Sequence, residues 1–517
     1  MPNKEKESLF QLVKSMTPAE KRHFQVARKE RGVSGTPLYR QLFQVMDQMG
    51  QYQEKTILRK IPGIRKAQLS NLKGHLYSQL LSDLRLLYKQ KDPVIALREQ
   101  LDYAHVLYDK GLYLQSLRIL GKIKVQAQKL EEISLCHEII ELEKLLESRH
   151  ITPGMENRTE ALSAESRNIT RQLNSISNLS TLSLRMYSLY LKLGHVRNEK
   201  DARMVRDFLG NQLKQVDPDH MGFYEKIYLY QIYCWYHYTL QEFLLYYRYS
   251  AKWVELFGDP LAHRPVDLSL YLKAMHNLLT ACFYTNNAVR FNEELRILEA
   301  FLATYQGSFD ENTLLYSFIY RYTALLNKHF LEGTFSEGIP LVPQINRKIE
   351  VHKDFMDPNR IMVFYYKIGC LYFGAGDFSG AIDYLNRIIQ MKVGELRQDI
   401  QCYARILHLI AHFEMEHYTL VEYLIKSVYH YIYVHRDLSL VLEEVIRFLR
   451  RNLYANPAQV LQGFQDLHER LIQVSKKPLE SRSFLYLDII SWLESKLRKI
   501  PVQQVIREKF EKGLPRF

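Results

Sequence analysis

Residues 365–385, YYKIGCLYFGAGDFSGAIDYL, hold two amphipathic segments joined at Gly376-Asp377, with small residues at Gly369 and Ala381. Apolar side chains at spacings of three and four predict a helix on each side of the turn. A glycine just past the first segment supplies the left-handed end that such a helix favours. The stretch therefore predicts a helical hairpin, and the same signs recur along the chain. Phe378 follows Gly376-Asp377, Phe335 follows Gly333-Thr334 and Tyr113 follows Gly111-Leu112, while Phe243, Phe291 and Tyr418 hold the same place after weaker turns. From Phe243 to Phe291, Phe335, Phe378 and Tyr418 the intervals are 48, 44, 43 and 40 residues, a period expected of stacked hairpins. Seven positions beyond the six aromatics stand Leu120, Ser250, Leu298, Val342, Leu385 and Ile425, predicting one buried face on each second helix.

The rest of the chain agrees with an all-α fold. Thr17-Pro18-Ala19-Glu20 combines a capping threonine, a proline suited to the first turn and a glutamate that can cap in return. Thr36-Pro37 repeats part of that signal, and Leu69, Leu72, Leu76, Leu80, Leu84 and Leu87 place one apolar stripe on the run from Lys66 to Tyr88. Asp92-Pro93 closes this block, because a residue before proline avoids helical geometry. From Pro93 onward no stretch alternates with period two, and the turns at 111, 153–154, 217–218, 258–265, 307, 333, 340–343, 357–358, 376, 456–457, 477–478 and 501 leave no long linker. The expected organisation is a basic helical block over 1–92, a helical repeat array over 93–435, and C-terminal helices over 436–517 that continue or cap the array.

With 517 residues, 47% of them hydrophobic and 25% charged, the chain has the makeup of folded protein. The most apolar stretch, residues 227–249, contains Gln231, His237, Gln241 and Glu242, and its bulk is mostly tyrosine, so no membrane association is expected. Five cysteines with no CxxC pair suggest neither a disulfide framework nor a zinc knuckle. A cytoplasmic location is the expectation. Residues 1–100 carry 19 Lys and Arg against 9 Asp and Glu, so this segment supplies 10 of the net +13. An electrostatic partner should prefer it.

Tyr365, Ile368, Gly369, Tyr372, Gly376, Asp377, Phe378, Ala381 and Leu385 together resemble the tetratricopeptide repeat (TPR), as do Tyr103, Ala104, Leu107, Gly111, Tyr113, Ser116 and Leu120. Ile388 and Leu326 stand where that family prefers smaller residues, and the spacing exceeds its repeat of about 34 residues. The resemblance implies an α-solenoid of longer, TPR-like hairpins whose first helices line an extended binding wall. Carried over unit by unit, the family's inward positions are Tyr228, Gln231, Trp235 and Tyr238, then Tyr320, Thr323 and Asn327, then Tyr366, Lys367 and Phe373. Only Asn327 and Lys367 have the chemistry with which some members clamp a terminal carboxylate. An apolar or aromatic segment of a protein or peptide partner is the implied ligand. Tyrosines at helical spacing also fill seams between helices, and the fourteen aromatics of residues 223–257 fit either use.

No phosphate-binding glycine loop, nucleophile elbow or Cys/His nucleophile context occurs, so neither enzyme activity nor a cofactor is expected. His408, His412 and Glu416 share one helical face but lack the glutamate that follows the first histidine in HExxH, so no metal site is expected. Lys21, Arg22, Arg28, Lys29, Arg31, Arg59, Lys60, Arg65, Lys66 and Lys73 form a candidate phosphate-neutralising stripe, which leaves nucleic acid as an alternative partner. The principal expectation is a non-enzymatic interaction scaffold.

Overall fold

The computed structural model describes residues 4–27, 37–149, 155–213, 221–259, 267–353, 355–391, 394, 397–435, 439–477, 479–480, 483–484 and 488–514. Arg28, Lys29 and Arg31, and the turns at 153–154 and 217–218, lie outside these residues. Among the described residues every regular element is a helix. Two compact units divide at residue 173/174.

In the first unit come α1 (Lys4–Ser15), α2 (Pro18–Ala27), α3 (Leu38–Gln48), α4 (Glu54–Lys60) and α5 (Lys66–Tyr88). The start of α2 follows its sequence signal. Glu20 N donates to the Thr17 hydroxyl at 3.3 Å, and Thr17 N donates to Glu20 Oε2 at 2.7 Å. Leu69, Leu76 and Leu80 on the α5 stripe are buried with Leu9, Val13, Phe24, Phe43, Met46 and Ile57. A second core forms where α6 (Pro93–Asp109), α7 (Tyr113–Lys129) and α8 (Ile133–Arg149) pack in succession. Asp92 Oδ1 caps α6 by accepting from Val94 N at 2.8 Å. The long α9 (Met155–Leu193) crosses the division between units.

The second unit continues with α10 (Glu199–Gly210), α11 (Phe223–Thr239), α12 (Phe243–Glu255), α13 (Leu268–Tyr284), α14 (Ala288–Tyr305), α15 (Glu311–Glu332), the short α16 (Phe335–Gly338), α17 (Leu341–His352), α18 (Pro358–Ala375), α19 (Phe378–Gln390), α20 (Gln398–Glu414) and α21 (Tyr418–Val434). Helix pairs α11/α12, α13/α14, α18/α19 and α20/α21 are joined by tight turns, and each second helix also packs on the first helix of the next pair in α12/α13, α14/α15 and α19/α20. The founding stretch is α18 and α19. Gly376 adopts φ 83°, a left-handed conformation that a side chain resists, and Asp377 Oδ1 accepts from Gly380 N at 2.8 Å. Prolines 340 and 343 mark the one second helix that is split, into α16 and α17. Tyr113, Phe243, Phe335, Phe378 and Tyr418 each begin a helix, and all six residues at the seventh position beyond the aromatics are buried.

Beyond α21, α22 (Leu440–Asn452) packs on α20, α21 and α23 (Pro457–Ser475), and α23 packs on α24 (Ile489–Arg498). From α24 the chain runs back past the turns of the earlier pairs. Trp492 Nε1 donates to Glu414 Oε1 at 2.6 Å, and Lys496 pairs with the same carboxylate. Helix α25 (Val502–Glu511) packs on α15 and α18. Gln503 Oε1 accepts from the Ser336 hydroxyl at 2.9 Å, Arg507 pairs with Glu337 at 2.8 Å, and Leu514 O accepts from Asn286 Nδ2 at 3.2 Å. The returning segment thus touches, in order, the turns after α20, α15 and α13.

Candidate functional site

The site is built on the first helices of the pairs, whose polar and aromatic side chains reach from one first helix to the next, buried at Gln231, Tyr320 and Asn327 and partly exposed at Lys273, His276, Tyr316, Arg360 and Lys367. Gln231 on α11 accepts from Ser183 of α9 at 3.4 Å and from Lys273 Nζ of α13 at 3.0 Å. His276, one turn beyond Lys273, stacks on Tyr320 of α15 at 4.4 Å between ring centroids. Tyr320 stacks in turn on Tyr316, over which lies the Arg360 guanidinium of α18 at 4.8 Å. Further along α15 and α18, Lys367 Nζ donates to Asn327 Oδ1 at 2.6 Å and lies over the rings of Phe330 and Phe283. Four of the expected groove residues, Gln231, Tyr320, Asn327 and Lys367, belong to this row.

Charge in the row is mostly positive. Burial, and secondly Arg360, hold the Lys273 ammonium down to about 8. His276 is pushed down to about 3 by burial first and then by Arg360, Lys367 and Lys273, so the imidazole is neutral at pH 7. Arg360 has its own carboxylate in Asp357 at 2.9 Å, whereas the polar partner of Lys273 is the amide of Gln231. Lys273 and His276 are absent from the expected wall because the unit-by-unit transfer leaves α13 without inward positions. The interval of 45 residues between the ends of α11 and α13 transfers Tyr228 and Gln231 onto these two positions.

The other expected groove residues are placed differently. Trp235 and Tyr238 join an aromatic cluster with Tyr187, Tyr190 and His195, in which Tyr187 and Trp235 lie 4.7 Å apart and Tyr190 and Trp235 stack at 5.2 Å. Tyr228 is partly buried in the neighbouring apolar core. Tyr366 and Phe373 are 7% and 6% exposed, within the core that α18 and α19 build with α20, and Thr323 is 9% exposed. Most of the aromatic-rich stretch 223–257 is likewise engaged in ring contacts, including Tyr233–Tyr249 at 4.4 Å and Phe243–Tyr284 at 4.7 Å.

One end of the row opens into a cavity of about 100 Å³, lined among others by Phe283, Phe330, Lys367 and Phe373 on one side and by Phe484 and Asp488 on the other. A second space, of about 380 Å³, lies between Gly376, Phe378, Glu414, Lys496 and Pro501, where Glu414 is already engaged by Trp492 and Lys496. The histidines singled out on α20 form a contact chain. His408 Nε2 and His412 Nε2 are 3.2 Å apart, and His412 Nδ1 is 3.0 Å from His417 Nδ1. Burial and then His412 push His408 down to about 4, while Glu416 is exposed in the following turn. Among the described residues no group of three or more His, Cys, Asp or Glu side chains is placed to hold a metal ion.

No family model, curated protein or solved structure matches this chain. Among the described residues, no helix is long and apolar enough to cross a membrane.

In the first unit the candidate basic residues divide into two kinds. Lys21 pairs with Asp47 at 2.7 Å, and Lys73 Nζ donates to the Tyr52 hydroxyl at 3.0 Å. Arg22 is exposed on α2, and Arg59, Lys60, Arg65 and Lys66 are exposed around the turn between α4 and α5. Among the described residues none of these last four has a carboxylate within ion-pair distance.

Proposed function

We propose that this protein is a non-enzymatic interaction scaffold, a TPR-like α-solenoid that holds a segment of a partner protein along its first helices, and that it works in the cytoplasm. The observation that carries the proposal is the continuous row from Ser183 through Gln231, Lys273, His276, Tyr320 and Arg360, which makes one surface out of consecutive first helices. Partly exposed aromatics, Tyr316 within the row and Tyr187 and Trp235 in the cluster one turn along from Ser183 and Gln231, give a partner large contact area at small conformational cost. Tyr366 and Tyr320 are both 7% exposed, so substitution of either would test stability and not binding.

Affinity capture from a lysate should be run with wild type and with a Trp235→Ala, Tyr316→Ala variant of unchanged melting temperature. A partner retained by wild type and lost by the variant is expected; equal retention by both would remove the row from the binding surface.

A second reading is favoured by the exposed cations of the turn between α4 and α5, which have no carboxylate within ion-pair distance among the described residues and suit a phosphate backbone. Binding of mixed-sequence RNA or DNA that weakens with salt, and weakens further in an Arg59→Ala, Lys60→Ala, Arg65→Ala, Lys66→Ala variant, is the expected result. Binding indifferent to both changes would reject it.

A further inference from the structure

Among the described residues, the row holds a charge that no carboxylate answers. Lys273 Nζ donates to Gln231 Oε1 at 3.0 Å and lies 5.9 Å from the centre of the Trp253 ring, and no described Asp or Glu is within ion-pair distance of it. Arg360 differs, since its Nε pairs with Asp357 Oδ2 at 2.9 Å. Burial weighs first on both Lys273 and His276, and the charged side chains that act on them next are themselves cations, Arg360 on both, and Lys367 and Lys273 on His276.

A cation drawn out of water beside other cations is unfavourable, and a surface that keeps one in that state gains most from a ligand that brings the missing negative charge. The surroundings set how much charge that is. Asp357 offsets Arg360, and His276 is neutral, so the Lys273 ammonium remains the uncompensated charge of the patch it makes with His276, Tyr316, Tyr320 and Arg360. A carboxylate balances it, whereas a phosphate group, with about two negative charges, would leave charge over beside Asp357. Lys273, His276, Tyr316 and Arg360 are partly exposed, so the patch is open to a ligand. Its flanks are aromatic, with Tyr316 on one side and Tyr187 and Trp235 beyond Gln231 on the other.

We propose that the partner segment held by the row presents an aspartate or glutamate side chain to Lys273 and Arg360, with an aromatic residue beside it in contact with Tyr316 or Trp235. The inference rests on the row being the partner surface and adds the chemistry of what that surface takes. It places the acid between α11, α13 and α18, away from Asn327 and Lys367, which are bonded to each other at 2.6 Å.

Selection of random phage-displayed peptides on the full chain tests this. Wild type should enrich sequences with Asp or Glu next to an aromatic residue, and Lys273→Met, which removes the charge and keeps the stem, should enrich aromatic sequences with no acidic preference. An enriched peptide is then synthesised with glutamate, glutamine or phosphoserine at the acidic position. Glutamine should bind wild type about tenfold or more weakly than glutamate and should bind Lys273→Met as glutamate does, a coupling that a merely structural effect of the substitution would not produce. Phosphoserine should bind no tighter than glutamate. Enrichment without acidic preference, an equal loss with glutamine in wild type and variant, or tighter binding of phosphoserine overturns the carboxylate assignment and leaves the row as a binding surface. Enriched peptides that bind the Trp235→Ala, Tyr316→Ala variant as wild type does, or no enrichment at all, overturn the reading of the row and this inference with it.

Discussion

Lys273 carries its charge against the cost of burial, which lowers its pKa from 10.5 to about 8. Its folded pKa of about 8 lies below the 10.5 of the free side chain, so the unfolded chain binds more protons between these values and stability rises across that interval. Below about pH 8 the charged form is fully present in the folded protein and its cost is complete. Lys273→Met should therefore raise stability at pH 7 by on the order of 1–3 kcal/mol and flatten the rise between pH 8 and 10. Urea unfolding of both proteins across that range checks the expectation. A less stable variant with an unchanged slope would mean that the contact with Gln231 outweighs desolvation. The glycines of the founding stretch are legible in part. Gly369 is a packing position, as its sequence context implies, since an added Cβ would lie 3.2 Å from Leu385. Gly376 has open space around it and is required for its positive φ alone.

At the scale of the element, five of the six recurring aromatics mark where second helices begin, and Phe291 lies three residues inside α14, because turn chemistry and helical periodicity are both local. The same locality limits what they reveal. Periodicity says that Tyr366 and Lys367 lie on neighbouring faces of one helix, but which face meets α20 and which meets α15 depends on contacts about 40 residues away. Tyr366 and Phe373, expected in the groove, are core for that reason. The return of α24 and α25 past the earlier turns has no local signature, because it rests on side chains such as Gln503 and Arg507 that also suit a solvated helix. Gly333 isolates this docking. It has φ 68°, and a Cβ there would meet the backbone of Arg507 at 2.4 Å, whereas Gly376, with φ 83°, faces nothing. Gly376→Ala should cost about 1 kcal/mol, the backbone penalty by itself. Gly333→Ala should cost about 1–3 kcal/mol more and speed amide exchange in α25. Equal losses in the two variants, with α25 unchanged, would refute the docking.

For the whole molecule the all-helical class and the positions of the helix pairs were legible, since they follow from composition and local pattern. The row was half legible, and the cavity was not, because its opposite walls are more than 100 residues apart in sequence. Buried neutral histidines make the molecule sensitive to acid. His276, at about 3, and His408, at about 4, both lie below the unfolded value of 6.5, so the unfolded chain takes up their protons first and stability falls as pH drops through that interval. A loss on the order of 3 kcal/mol or more between pH 6.5 and 4 is expected. Replacing both residues, His276→Phe and His408→Leu, should shallow the slope measured by urea unfolding, and an unaltered slope would contradict it. The returning C-terminal segment also sets the order of events at the ribosome. Asn286 and its contact at Leu514 are 228 residues apart. At roughly 5–20 residues per second, the turn after α13 waits on the order of 10–45 s for the chain that covers it. For a similar interval the apolar residues of α15 and α18 that pack against Val502 and Ile506 lack their cover.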